Sequence, residues 1–272
     1  ITAITSIAFD HERHLGHTLS DIAYEKAGIA KAGVPLVIGR LPKEAAARIF
    51  KVAAEVEAPI LDAHATASDR KYQPLTLALP GRHQLENAAV AVAILEKWSQ
   101  LVGHIHTEAI VTGLTQCDWP ARLEWLRVPS AFARNASSGE TGPGGELLID
   151  AAHNPAGAAA LASYLKDTGS KKLPIVFAAM ADKDLANMIA ALAPVASAFI
   201  ATSVPHTRAR TAEQLAAEIR ALAKDTPVEA IGDPLAAVTR ALEHSSRAVA
   251  CGSIYMIGPL RARLIDQGAT RA

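Results

Sequence analysis

Between residues 146 and 267 short apolar runs alternate with amphipathic ones, and this alternation limits the possible folds more than any other feature. Glu146–Ala151, Ile175–Ala179, Ala198–Thr202, Val228–Ile231 and Ala248–Cys251 read as buried strands. Ala156–Lys166, Asp184–Leu192, Thr211–Lys224, Pro234–Glu243 and Ile257–Gln267 read as the helices between and after them. Repeated strand–helix alternation is the pattern of a mostly parallel sheet with helices on both faces. With Arg122–Val128 as a further strand, residues 119–272 are expected to form a complete doubly wound α/β domain. Asn135–Gly145 is a loop by composition.

Residues 1–118 carry a looser version of the same grammar. The segment 1–9 reads as a strand. Thr18 is an N-cap for a helix through Lys26 that ends near Gly28. Val34–Ile38 and Pro59–Leu61 are short strands around the helix Lys43–Glu57, and an extended run Leu75–Leu79 precedes the helix His83–Trp98. The character changes at Trp119, so a domain boundary is placed near 118. At 272 residues, two domains are the natural count. The first is expected to be the later part of an α/β domain whose opening portion is not in the sequence. The absence of an initial Met points the same way.

Composition excludes several classes. Lys+Arg and Asp+Glu are both 27, which argues against a nucleic-acid binder relying on bulk positive charge. Two cysteines, Cys117 and Cys251, are too few for a disulfide scaffold, so a reducing, cytoplasmic location is expected. Leu185–Thr207 has no charged residue, but Pro194 interrupts it; a helix followed by a strand is the better reading, and no membrane association is expected. The chain contains no G-x-x-x-x-G-K-[ST], no G-x-G-x-x-G, no zinc-spaced cysteine pair and no G-x-S-x-G.

Ligands of α/β sheets gather at the carboxyl ends of strands. Asp10-His11 ends one strand, where a carboxylate and an imidazole can hold a divalent metal or simply cap a loop. Asp150 ends another and is followed by His153-Asn154-Pro155, where a helix N-terminus favours anions; capping by Asn154 with Pro155 in the first turn explains the same residues without a ligand. Lys26, Arg122 and the segment Gly81-Arg82-His83-Gln84 with Asn87 have ordinary surface or capping explanations when each is taken alone.

Together the segments resemble one family. ITSIAFDH (4–11), TLSDIAYEKAGIAKAGVP (18–35), GRHQLENAAVAVA (81–93), WPARLE (119–124), LLIDAAHNPAGAAAL (147–161), VFAAMADKD (176–184) and CGSIYMIG (251–258) are similar, in order, to folylpolyglutamate synthases and bifunctional dihydrofolate synthases of the Mur-ligase superfamily. The resemblance implies that 1–118 is the C-terminal part of a P-loop-type central ATP-binding domain and 119–272 a Rossmann-like C-terminal domain. It implies an ATP-dependent ligase that adds L-glutamate to dihydropteroate or folates through an acyl phosphate, with ATP and Mg²⁺ required and the chain a monomer. By the same resemblance His11 is a Mg²⁺ ligand and Lys26 is carried in an N-carboxylated form. Asn87 contacts adenine, Arg122 reaches the ATP phosphates, and Asp150 binds ribose. His153 and Ser253 stand near the phosphate or the incoming glutamate. These residues are expected to line a cleft between the two domains.

The sequence departs from the family in one major respect. The family's P-loop, its Mg²⁺-binding glutamate and its pterin-binding segment lie upstream of ITSI, so the chain is expected to be N-terminally truncated and not to turn over ATP alone. Two other readings stay open: an amino-acid ligase of cell-wall synthesis from the same superfamily, and a non-catalytic nucleotide- or folate-binding remnant.

Overall fold

The computed structural model describes residues 1–9, 15–66, 75–130 and 144–272. The chain divides into two compact units, Ile1–Asp118 and Trp119–Ala272.

The first unit is built on three parallel strands, β1 (Thr2–Ile4), β2 (Leu36–Ile38) and β3 (Ile60–Asp62), in that order. Helix α1 (Leu19–Ala27) links β1 to β2, and α2 (Lys43–Glu55) links β2 to β3. All three residues of β2 are buried, as expected of a central strand covered on both faces. Side-chain alternation sorts them. Leu36 and Ile38 pack with Ile22 of α1 and with Ile49 and Ala53 of α2. Val37 points the other way, onto Val90 and Ala93 of α4 (Arg82–Leu101). Helix α1 starts where Thr18 Oγ1 accepts the Asp21 amide at 3.0 Å, and it stops at Gly28. Gly39, just past β2, lies so close to the neighbouring strand that a Cβ there would meet the Thr5 carbonyl oxygen.

Two sequence expectations need correction in this unit. The 1–9 strand is shorter, Thr2–Ile4. Residues 75–79 form no strand: Ala78 donates its amide to Leu114 O at 3.0 Å instead of joining a ladder. Leu114 belongs to a helix that the sequence did not suggest, α5 (Thr107–Gln116). Its sequence TEAIVTGLTQ is rich in threonine and contains a glycine, all poor helix formers, and only Ile110 is buried, so neither propensity nor periodicity marks it. Between β3 and α4 lies the short helix α3 (Ala63–Thr66).

The second unit holds a seven-stranded sheet. In chain order its strands are β4 (Glu124–Val128), β5 (Gly145–Ile149), β6 (Leu173–Phe177), β7 (Ala196–Ala201), β8 (Val228–Ala230), β9 (Arg247–Cys251) and β10 (Thr270–Arg271). In space they run β10-β4-β5-β9-β6-β7-β8; β4 and β10 are antiparallel to their neighbours and the other pairings are parallel. Helices α6 (Pro155–Asp167), α7 (Leu185–Leu192) and α8 (Ala212–Leu222) cover one face, where Leu148, Ile175, Phe177 and Phe199 meet Leu161, Met188 and Leu215. Helices α9 (Pro234–His244) and α10 (Ile254–Asp266) cover the other, where Leu147, Ile149, Val176 and Ile200 meet Val238, Ile257 and Leu260. The expected α/β architecture with helices on both faces is therefore present. Pro174 lacks an N–H, and the β6–β7 register shifts at Leu173/Pro174. Helix α10 begins at Ile254, three residues before the expected Ile257, with Pro259 inside it.

The chain order matters for function. From β6 it runs outward through β7 to β8, then returns to insert β9 between β5 and β6. The carboxyl ends of β5, β9 and β6 thus lie side by side, the position at which open α/β sheets bind ligands.

Candidate functional site

Asp150 follows β5 at that margin and is 7% exposed. Its amide continues the ladder to Ala250 O at 3.1 Å. Its Oδ1 accepts the Ala152 amide at 2.8 Å and its Oδ2 the Leu123 amide at 2.9 Å. The second bond reaches 27 residues back and fixes the turn that carries Arg122. That turn is unusual: the residues on both sides of Arg122, Ala121 at φ 59° and Leu123 at φ 49°, occupy the left-handed region without being glycine. Ala151 donates to Ala121 O at 3.0 Å, and Ala121 donates to the Glu124 carboxylate at 2.8 Å. Arg122 itself is exposed. Burial alone would raise the Glu124 carboxyl, but bonds from Arg261, the Ala121 amide and Arg271 outweigh it and hold the group down at about 2.

His153 lies two residues beyond Ala151. Its Nδ1 is 2.9 Å from the Ala151 carbonyl oxygen, and since that oxygen can only accept, Nδ1 carries the proton. Asn154 Oδ1 accepts the Gly157 amide at 2.8 Å, and Pro155 opens α6. On the adjacent strand, Gly252 donates to Ala152 O at 2.8 Å. Its φ of 104°, and a Cβ position that would meet the Ala178 carbonyl oxygen, both exclude a side chain. Ser253 comes next, at the N-cap of α10 and 2% exposed; its enclosed Oγ has no hydrogen-bond partner among the described residues. Cys251 ends β9 beneath this margin. Burial and the Asp150 carboxylate both push its thiol up, so it is an inert core residue. Cys117 is exposed.

Arg122, Asp150, His153 and Ser253 are thus brought together at one margin of the second unit. In the first unit Asn87 and Lys26 stand on α4 and α1, which pack on opposite faces of the three-stranded sheet. Lys26 is exposed in the last turn of α1, where a cation suits the helix dipole. Asn87 donates from Nδ2 to Oε1 of the buried Gln84 at 3.0 Å. Both amides line a cavity of about 280 Å³ between α4 and α5, otherwise apolar and walled by Leu77, Ala91, Ile110, Leu114 and Cys117. His11 lies outside the described residues, as does most of the 135–145 loop. Among the described residues no three His, Cys, Asp or Glu side chains group as metal ligands, so these residues do not form a metal site by themselves. No helix among them is long and apolar enough to cross a membrane.

Glu124 is the residue that sequence reasoning missed. Its signal was an acidic residue in register with Leu126 and Val128 on the inward face of β4.

Residues 138–253 match the family model described as Mur ligase, glutamate ligase domain. A dihydrofolate synthase/folylpolyglutamate synthase of Bacillus subtilis is 30% identical over 97% of this chain and 62% of its own length. Over nearly its whole length the chain is similar to folylpolyglutamate synthases and dihydrofolate synthases. It spans less than two thirds of the length of that relative. Among solved members of the family, a Mycobacterium tuberculosis folylpolyglutamate synthase complexed with ADP and AMPPCP superposes with a TM-score of 0.77 at 25% identity, over 99% of this chain and 64% of that one. A bifunctional folylpolyglutamate synthase/dihydrofolate synthase with Mn, AMPPNP and L-glutamate bound gives 0.74 at 27% identity, over 97% and 61%.

Proposed function

We propose that this chain supplies the glutamate-ligase half, and part of the nucleotide-binding half, of an enzyme that joins L-glutamate to dihydropteroate or to folates at the expense of ATP. The observation that carries this reading is the convergence of Arg122, Asp150, His153 and Ser253 on one sheet margin, each within a segment that resembles the family. Asn87, at an apolar cavity lined also by the Gln84 amide, suits the edge and faces of an adenine ring. Asp150 is an acceptor held rigid by two backbone amides, which suits ribose hydroxyls.

In the proposed reaction the acceptor carboxylate attacks the γ-phosphorus and ADP leaves. The glutamate amine then attacks the acyl carbon, and phosphate leaves. Catalysis is positioning and charge neutralisation. Arg122, thrust out on its left-handed turn, neutralises phosphate charge. His153 at the start of α6 and the Ser253 hydroxyl receive the phosphate or the glutamate; an enclosed hydroxyl without a partner is satisfied when a ligand arrives. Lys26 is proposed to act in N-carboxylated form, with His11 on a divalent cation. The 272 residues contain no P-loop sequence, and we propose that alone they bind nucleotide without turning it over.

The experiment is a titration of the purified chain with a fluorescent ADP analogue, alongside ADP release from ATP in the presence of dihydropteroate and glutamate. Saturable binding weakened about tenfold or more by Arg122→Ala, a typical loss for a charged hydrogen bond, is expected. Failure of the unsubstituted chain to bind the analogue overturns the nucleotide assignment. Sustained ADP release overturns the proposed inactivity.

A further inference from the structure

Glu124 is buried on the inward face of β4, where a carboxylate is costly unless its lone pairs are filled. They are filled. Arg261, from α10, grips it in a fork, Nε to Oε2 and NH2 to Oε1, both at 2.8 Å. Arg271, from β10, donates Nε to Oε1 at 2.8 Å. The remaining place on Oε2 is taken by the Ala121 amide at 2.8 Å. Three of the four bonds anchor the carboxylate to the far end of the chain, and the fourth passes that anchorage to the turn holding Arg122.

We infer that Glu124, locked by Arg261 and Arg271, is the positioning residue for Arg122. It fixes the Ala121–Leu123 turn in the one conformation that projects this guanidinium from the sheet margin. Two non-glycine excursions into left-handed space, one on each side of Arg122, persist only where the surroundings over-determine them. Here Asp150 pins one side of Arg122 through the Leu123 amide, and Glu124 pins the other through Ala121. The Ala151 amide also holds the Ala121 carbonyl oxygen, but only Glu124 holds the Ala121 N–H; without it the Ala121 peptide loses one of its two ties, and the turn loosens on that side of Arg122. Glu124 touches no substrate in this arrangement and acts entirely through its neighbour. The role in nucleotide binding rests on the functional reading above, whereas the role in holding the turn does not.

The test uses the full chain with Glu124→Gln, Glu124→Asp and Arg271→Ala, each also combined with Arg122→Ala. Amide hydrogen exchange at Ala121 and Leu123 reads the turn, and exchange at Val249 in the core reads the fold. Glu124→Gln is expected to speed Ala121 exchange about tenfold beyond whatever it does to Val249, whose exchange follows the global stability. It is also expected to weaken the fluorescent ADP analogue about tenfold, with little further loss when added to Arg122→Ala, because both act through one guanidinium. Glu124→Asp, which keeps the charge, recovers part of both effects. Unchanged Ala121 exchange overturns the inference, as does a binding loss that adds in full to that of Arg122→Ala. Should Glu124→Gln not fold, Arg271→Ala decides the matter, since it removes one anchor and leaves the Arg261 fork: faster Ala121 exchange supports the inference and unchanged exchange overturns it. If the unsubstituted chain binds no analogue, the functional reading fails, and Ala121 exchange alone settles whether Glu124 holds the turn.

Discussion

The Glu124 carboxyl is held at about 2 in the folded protein, against an ordinary value of 4.5. A group depressed on folding contributes stability above its unfolded value and loses it as pH falls through the folded one. The contribution of Glu124 is therefore complete above pH 4.5 and fades between about 4.5 and about 2. Urea unfolding at pH 7 and at pH 3 measures this. Glu124→Gln should be clearly less stable than the parent at pH 7, and the gap should narrow at pH 3. An equal gap at both values would mean that the carboxylate charge is not what stabilises. Glu229 and Asp233 are also held low, by Arg240 and Arg263 against their own desolvation, so the parent loses stability in acid for several reasons; only the comparison with the variant isolates Glu124. At this scale the sequence was uneven as a guide. The placement of Asp150 and His153 after a strand end was legible because it is a local feature. Glu124 was not, because its partners lie 137 and 147 residues away and nothing in a single strand of sequence announces a second arginine from elsewhere.

Helices were easiest to find where their ends carry chemistry of their own. Thr18, Asn154, Asp184, Thr211 and Asp233 each accept an amide of the first turn, and Thr211 with Gln214 forms a reciprocal capping box. Helix α5 has no such signal: His106 stands at its N-cap without a side-chain bond. The cap of α6 stands next to His153 in the chain, and it lends itself to a quantitative test. Asn154→Ala should lower stability by about 1 kcal/mol, the usual cost of a lost N-cap, read from the denaturant midpoint. Asn154→Asp should restore most of it, because the carboxylate still accepts from Gly157. A loss well beyond 2 kcal/mol would mean that Asn154 supports the sheet margin as well as the helix. Residues 75–79 misled because an apolar run before a Pro-Gly pair looks like a strand, and whether a neighbour is there to pair with it is a property of the fold rather than of the run.

At the scale of the molecule, each unit encloses cores of its own. The two largest lie wholly in residues 119–272, on opposite faces of one sheet. A polypeptide of residues 119–272 should therefore fold by itself and unfold cooperatively, as followed by circular dichroism. Phe199, fully buried and edge-to-face with Phe177 at 6.4 Å between ring centres, is the sensitive point. Phe199→Ala should cost that polypeptide about 3–5 kcal/mol. Non-cooperative melting of the parent piece would show that it depends on residues 1–118. The doubly wound pattern was readable because its strands are buried on both sides and spell themselves out as apolar runs. The strand order was not, because the insertion of β9 between β5 and β6 leaves no trace in the length or composition of any loop.

The outer strands of this sheet are β8, of three residues, and β10, of two. The Val228 carbonyl is already taken by Arg220 at 2.8 Å, and Glu229 by Arg240 and His244. Amyloid grows by adding ribbons to long, bare backbone margins. This half of the protein offers such growth almost no foothold: its rims are short, charged and already engaged, so crowding should not drive it toward fibrils.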